Sequence, residues 1–328
     1  MVATLPQWED FWRSGRIVSC PTDSTDGYTG SVRSAWEEFF ADLPDGARLL
    51  DVGTGNGALP LIALDVARRR SASFEVHGVD LARIDPRRVV PDGQRLFGNT
   101  VFHGGVPAEA MPFADRYFHA VAGQYSLEYT QREAALREIH RVMTARAPAR
   151  FVLHHASSIV VTIAQESLSH ARELEERAAA FSDLREYAAA ERTDADRAAR
   201  LHARMVERIA HLHRLSAQSK GSRLLADMLP ALGKLFELRQ RLSPREFAEA
   251  VDRSYRAFKA GEQRLREMID VALDEPAMQR VADQARDAGF RDVRFAPLIQ
   301  DANILVGWQL DMRSAPVPGE ATTAPSPL

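Results

Sequence analysis

Ten residues in the first third of the chain, Leu49-Leu50-Asp51-Val52-Gly53-Thr54-Gly55-Asn56-Gly57-Ala58, leave it little freedom. The apolar residues before the glycines predict a buried strand. Leu59 to Arg69 predicts a helix, and the glycines between them a tight turn that a ligand can approach with no Cβ in the way. Free amides at the helix start can then face that ligand. Taken alone, the run also fits Gly-x-Gly-x-x-Ala, a dinucleotide fingerprint. Asp51 separates the readings, because a carboxylate on the strand just before the first glycine repels a pyrophosphate but suits a cation. Asp80, at the end of the next strand, is placed to accept hydrogen bonds from a ribose diol and serves both readings.

The rest of the chain repeats this strand–helix alternation and then interrupts it. Strands are predicted at 48–52, 74–80, 118–123 and 149–154, with a helix at 133–143. From about Ser157 to Glu275 the chain reads as helix. One stripe runs through Leu174, Ala178, Phe181, Leu184 and Ala188, a second through Leu201, Met205, Ile209, Leu212 and Leu215. A third segment, Leu224 to Leu238, is interrupted at Pro230. The fourth opens with Ser243-Pro244-Arg245-Glu246, an N-cap serine, a first-turn proline and a capping-box glutamate. Alternation returns with a helix at 278–288 and strands at 293–296 and 304–310. The predicted fold is α/β: a Rossmann-like, doubly wound, mostly parallel seven-stranded sheet with a large all-helical insertion after strand five. The expected units are N-terminal helices or lid over 1–46, the sheet core over 47–156, the insertion over 157–275, the returning core over 276–312 and a disordered tail over 313–328.

Composition excludes several classes. Hydrophobic residues are 45% and charged residues 27% of 328 residues, ordinary globular usage. A net charge of −3 gives no general pull toward nucleic acid. Residues 201–260 hold 12 Lys plus Arg against 6 Asp plus Glu, but without the clustered footprint that nucleic acid requires. The single cysteine, Cys20, permits no internal disulfide, and no multi-cysteine zinc site exists. No apolar run approaches the roughly 20 residues of a membrane span. With no basic, apolar leader at the N-terminus, a cytoplasmic location is expected.

The ordered motifs resemble the class I S-adenosylmethionine-dependent methyltransferases, especially the small-molecule type similar to the quinone-biosynthesis enzymes. The resemblance covers about 47–156 and, more weakly, 276–312. It implies S-adenosyl-L-methionine as cofactor and a small-molecule methyl acceptor. Asp51, Gly53, Thr54, Gly55, Asn56 and Gly57 match the family's first motif, which holds the methionine part of the cofactor. Asp80 matches the residue on the ribose hydroxyls and Leu81 the apolar neighbour of the adenine. Ala108 and Glu109 fall in the loop over the adenine, and Gln124 and Tyr125 in the loop facing the reactive sulfonium. The chain departs from the pattern at Pro107 and His119, where acidic residues are usual, and at 145–148, where glycines are usual.

Catalytic candidates are His154 and His155, ending the fifth strand where ligands of open α/β sheets collect, and Tyr125. A histidine there could take a proton from an acceptor hydroxyl. Neighbouring strand residues point to opposite faces, so one of the two at most faces the site. No metal site is expected. The cluster Trp8, Phe11 and Trp12 is either a lid or a helix docked on the core, and Tyr28 a lid residue. The insertion is expected to form the substrate lid, or to hold a second copy or a protein partner. The alternatives are a catalytically inactive cofactor-binding module that holds a partner, an RNA methyltransferase, and a nicotinamide-dependent oxidoreductase, against which Asp51 argues.

Overall fold

A computed structural model describes residues 5–19, 27–300 and 303–316. Two helices lead in, α1 (Pro6–Trp12), begun by a proline whose missing N–H costs the first turn nothing, and α2 (Gly30–Ala41). Then follow β1 (Ala47–Val52), α3 (Ala58–Arg69), β2 (Phe74–Asp80), α4 (Pro86–Val89), α5 (Gly93–Phe97), β3 (Val101–Gly104) and β4 (Ala120–Gln124). After a single 3₁₀ turn at Leu127–Tyr129 come α6 (Arg132–Val142) and β5 (Pro148–Leu153). The helical stretch comprises α7 (Ile159–Arg172), a wide π-turn at Glu173–Arg177, α8 (Ala180–Ala190), α9 (Ala195–Gln218), α10 (Leu224–Leu238) and α11 (Pro244–Val271). The chain closes with α12 (Glu275–Asp287), β6 (Arg291–Gln300) and β7 (Ile304–Arg313).

The sheet has seven strands in the order β3-β2-β1-β4-β5-β7-β6. All pairings from β3 to β5 are parallel, and β7 runs antiparallel to both of its neighbours. This is the expected doubly wound, mostly parallel Rossmann-like sheet. The strand order reverses between β1 and β4, where the ends of adjacent strands diverge and leave a crevice. One face packs Leu50, Phe118 and Phe151 against α6 and α12. The other packs Leu49, Val76 and Ala120 against α2 and α3, where Trp36 and Phe40 are fully buried. Burying side chains of this size contributes roughly 1.5–3 kcal/mol each.

The helical stretch forms its own apolar centre from Leu174, Phe181, Leu212, Leu225, Val251 and Phe258. Four details differ from the sequence reading. The stripe from Leu174 to Ala188 is not one helix: it crosses the π-turn and breaks at Ala179, whose φ is +46°. Pro230 does not interrupt α10, which is continuous through it. Pro230 is exposed, so the carbonyl it leaves unpaired faces water and the usual cost of an interior proline falls. Strand β3 lies at the sheet edge and was not foreseen. The last strand extends to Arg313, and Ser314 is buried, accepting from the Ala147 amide at 2.9 Å. The remainder of the expected tail, 317–328, lies outside the described residues, as does Cys20. The capping box at Ser243 and Glu246 is present as expected. No helix among the described residues is long and apolar enough to cross a membrane.

Candidate active site

The crevice at the ends of β1, β2 and β4 holds a cavity of about 150 Å³. The glycine turn forms its floor. Gly53, Gly55 and Gly57 all have positive φ, +71°, +51° and +85°, so each serves as the left-handed residue this turn requires. The turn is tied to β2 through Asp80, whose two oxygens accept from the amides of Gly55 and Ala82, both at 2.8 Å. A Cβ at Gly55 would come within 2.5 Å of the Trp12 ring, because α1 lies directly over the turn. Asn56 fixes this roof by donating from Nδ2 to the carbonyls of Trp12 and Arg16, both at 2.8 Å.

Two carboxylates dominate the electrostatics. Asp51 is only 2% exposed. Burial pushes its carboxyl up to about 7, reinforced by the Asp80 charge and opposed by the nearby Thr54 hydroxyl. Burial likewise raises Asp80 to about 6, against the two amides that hold it. Among the described residues lining the cavity there is no Lys, Arg or His, while Asp51, Asp80 and Glu109 all line it. A buried carboxylate without a cation is costly. The pair is therefore a receptor for positive charge and for hydroxyl donors.

The far end of the crevice, beyond β4, is aromatic. Tyr125 has φ +53°, stacks on His154 at 4.2 Å between centroids, and donates to the Val306 carbonyl at 2.9 Å. His154 is 2% exposed and lies behind Tyr125, outside the cavity lining. Its Nδ1 is paired with Glu128 Oε1 at 2.6 Å, and the same oxygen accepts from its own amide at 2.8 Å. His155 also lies outside the lining, stacked on Trp308 at 4.4 Å. Of the three catalytic candidates, Tyr125 alone lines the cavity.

Among the cofactor candidates, Asp51, Gly53, Thr54, Asp80, Leu81, Ala108, Glu109 and Gln124 line the cavity. Gly55, Asn56 and Gly57 support it from behind. Glu109 also accepts from the Gln131 amide at 2.7 Å. His119, where the resemblance expects an aspartate, accepts from the Arg48 amide at 3.0 Å and takes no part in the cavity. No cluster able to hold a metal occurs among the described residues.

The sequence reading missed Ser126, Glu128, Tyr129 and Glu267. Ser126 and Tyr129 line the cavity. Glu267, on α11, accepts from Trp8 Nε1 at 3.1 Å and Gln7 Nε2 at 2.7 Å, clasping the roof from above. Arg264 adds a bond to the Gln7 carbonyl at 2.8 Å and lies 4.6 Å over the Phe11 ring. Of the aromatic cluster, Trp8 and Trp12 line the cavity, as does Tyr28, while Phe11 does not.

Residues 50–147 match the family described as "Methyltransferase domain". No curated protein matches the chain. Among solved structures, the chain is similar to the citrinin polyketide synthase CMeT domain, at 13% identity and a TM-score of 0.42, covering 88% of this chain and 52% of that one. It is similar to the CurJ carbon methyltransferase at 11% identity and 0.43, covering 87% and 53%. A Burkholderia thailandensis 1,6-didemethyltoxoflavin-N1-methyltransferase, solved with its substrate and S-adenosylhomocysteine, gives 11% identity and 0.42, covering 87% and 79%. The chain spans about half the length of the first of these.

Proposed function

We propose that this protein, whose residues 50–147 match a family of methyltransferase domains, moves a methyl group from S-adenosylmethionine to a small-molecule acceptor by in-line displacement. The observation that carries the reading is the pair Asp51, buried, and Asp80, half-buried, in the cavity wall with no basic side chain among the described lining residues. That donor set fits a ligand bearing positive charge and a ribose. It does not fit the pyrophosphate of a nicotinamide dinucleotide.

When bound, the cofactor supplies a methyl group activated by a positively charged sulfur. The chain's own part is binding, orientation and exclusion of water. Asp51 would face the cationic end of the cofactor and Asp80 the ribose hydroxyls. Asp80 can do so while keeping the Gly55 and Ala82 amides, since each carboxylate oxygen has a second lone pair. Leu81 and Ala108 would flank the flat base. Glycine at 53 and 55 lets Ser126 and the Trp12 ring close against the turn. The roof formed by Trp8 and Trp12 keeps water out, which strengthens the carboxylates' hold on positive charge. Transfer to an aligned nucleophile needs little covalent help, and positioning supplies much of the acceleration.

Equilibrium dialysis with labelled S-adenosylmethionine and, separately, NADH tests this reading. Saturable binding of the first, with none of the second, is the expected result. Folded protein that binds neither, or NADH alone, overturns it.

A further inference from the structure

Seven buried polar atoms around the cavity have no hydrogen-bond partner among the described residues: Asp51 Oδ1, Thr54 Oγ1 and Asn56 Oδ1 at the glycine turn, and Gln124 Nε2, Ser126 Oγ, Glu128 Oε2 and Tyr129 Oη on the β4 side. Three of them belong to the four-residue turn 126–129 that follows β4. This turn lies on the β4 side of β1, away from β2 and Asp80. Unsatisfied buried polar groups are costly and uncommon in folded proteins, so a cluster of them on one turn marks a place where a ligand completes the bonding. Tyr129 stays protonated, since burial and the charges of Glu128 and Glu267 raise it well above the ordinary tyrosine value. Its hydroxyl can therefore both donate and accept.

Shape and charge narrow the ligand. Trp8 meets Tyr129 edge to face at 6.0 Å and stacks on Trp12 at 6.0 Å, so this end of the cavity is walled by rings. Carboxylates flank it: Asp51 in the wall, Glu267 bonded to Trp8, and Glu128, whose other oxygen pairs with the His154 imidazole that packs against Tyr129. No basic side chain of the described residues lines the cavity, and Arg264 lies against the rings of Phe11, at 4.6 Å, and Trp8, at 5.9 Å.

Resting on the methyltransferase reading, we propose that the turn Ser126–Tyr129 is the acceptor subsite and that the acceptor is a flat aromatic compound without negative charge, held by a ring hydroxyl or N–H. Tyr129 is the residue that pairs with that group, and the surrounding carboxylates reject acceptors bearing a carboxylate or phosphate near the ring.

Three probes of one ring size test this in the full-length protein, with and without S-adenosylhomocysteine: 2-naphthol, naphthalene and 2-naphthoate. Binding is read by quenching of tryptophan fluorescence, and S-adenosylhomocysteine binding is titrated separately by calorimetry. The expected result is 2-naphthol binding about tenfold more tightly than 2-naphthoate and severalfold more tightly than naphthalene, a hydrogen bond's worth of preference. Tyr129→Phe, with S-adenosylhomocysteine affinity unchanged, should erase the advantage over naphthalene but keep the discrimination against 2-naphthoate. Equal or tighter binding of 2-naphthoate, a hydroxyl preference that survives Tyr129→Phe, or no binding of 2-naphthol with S-adenosylhomocysteine bound overturns the proposal while leaving the cofactor reading standing. Failure of S-adenosylhomocysteine to bind counts against the cofactor reading, and the naphthol–naphthoate contrast without it still judges the subsite.

Discussion

The molecule buries carboxylates in two regions and treats them oppositely. In the helical stretch, Asp183 is 2% exposed and takes Arg204 at 2.6 Å and Arg208 at 2.5 Å. Glu262, 3% exposed, is held by Lys259 at 2.5 Å and by Arg266. At the ends of β1 and β2, Asp51 is 2% exposed and Asp80 half-buried; Asp80 receives two amides, and neither takes a cation among the described residues. The first arrangement is complete within the fold and does structural work. The second is complete only with a ligand, and the missing component is positive charge. Burial by itself therefore says little about function, whereas burial without a counter-ion points to what binds.

The contrast can be broken most severely at Asp80. Asp80→Ala should weaken S-adenosylmethionine binding by about 100-fold, the loss of hydrogen bonds to a charged group, when measured by calorimetry. Undiminished affinity would place the cofactor elsewhere. In the other region, Asp183→Asn should lower unfolding stability by about 2 kcal/mol, less than for a fully buried pair because both arginines are partly exposed. Cofactor affinity should not change, and chemical denaturation reads the difference. Gly55→Ala puts a methyl group against the Trp12 ring in a left-handed turn, so it should displace the roof and weaken the cofactor about tenfold while shifting tryptophan emission. Glu267→Ala removes the clasp on Trp8 and Gln7 without touching the floor. About threefold faster cofactor release in stopped flow is expected, as for the loss of one net hydrogen bond.

The same comparison has a pH signature. Unfolded, Asp51 and Asp80 titrate near ~3.9. Folded, they rise to about 7 and about 6. Their contribution favours the ligand-free fold in full below the unfolded value and is lost progressively as pH climbs from about 4 through the folded values of about 6 and 7. Melting of the free protein should accordingly soften across that window, and Asp51→Asn should flatten the dependence.

Much of the sheet was legible because buried parallel strands are short apolar runs ending in glycine or acid, as in Leu49-Leu50-Asp51-Val52-Gly53. Strand β3 was not, since Val101-Phe102-His103-Gly104 sits at an exposed edge and carries no apolar run. Helical periodicity also hid the break at Ala179, because a π-turn lets the apolar stripe continue on either side of it. At the site, Asp51 and Asp80 could be read from local pattern, being fixed by strand ends. Glu128, Tyr129 and Glu267 could not. Glu128 gains its meaning from His154, 26 positions away, and Glu267 from Trp8, 259 positions away. Nothing in the local sequence marks either partner.

The central claim is that Asp51 and Asp80 form an unfilled receptor for positive charge, and calorimetric titration of S-adenosylmethionine at pH 6.5, repeated in buffers of differing ionisation enthalpy, addresses it most directly. At that pH a carboxyl raised to about 7 is roughly three-quarters protonated, so the account predicts release of most of a proton on binding, the larger part of it lost in Asp51→Asn. Binding with no proton released would contradict it.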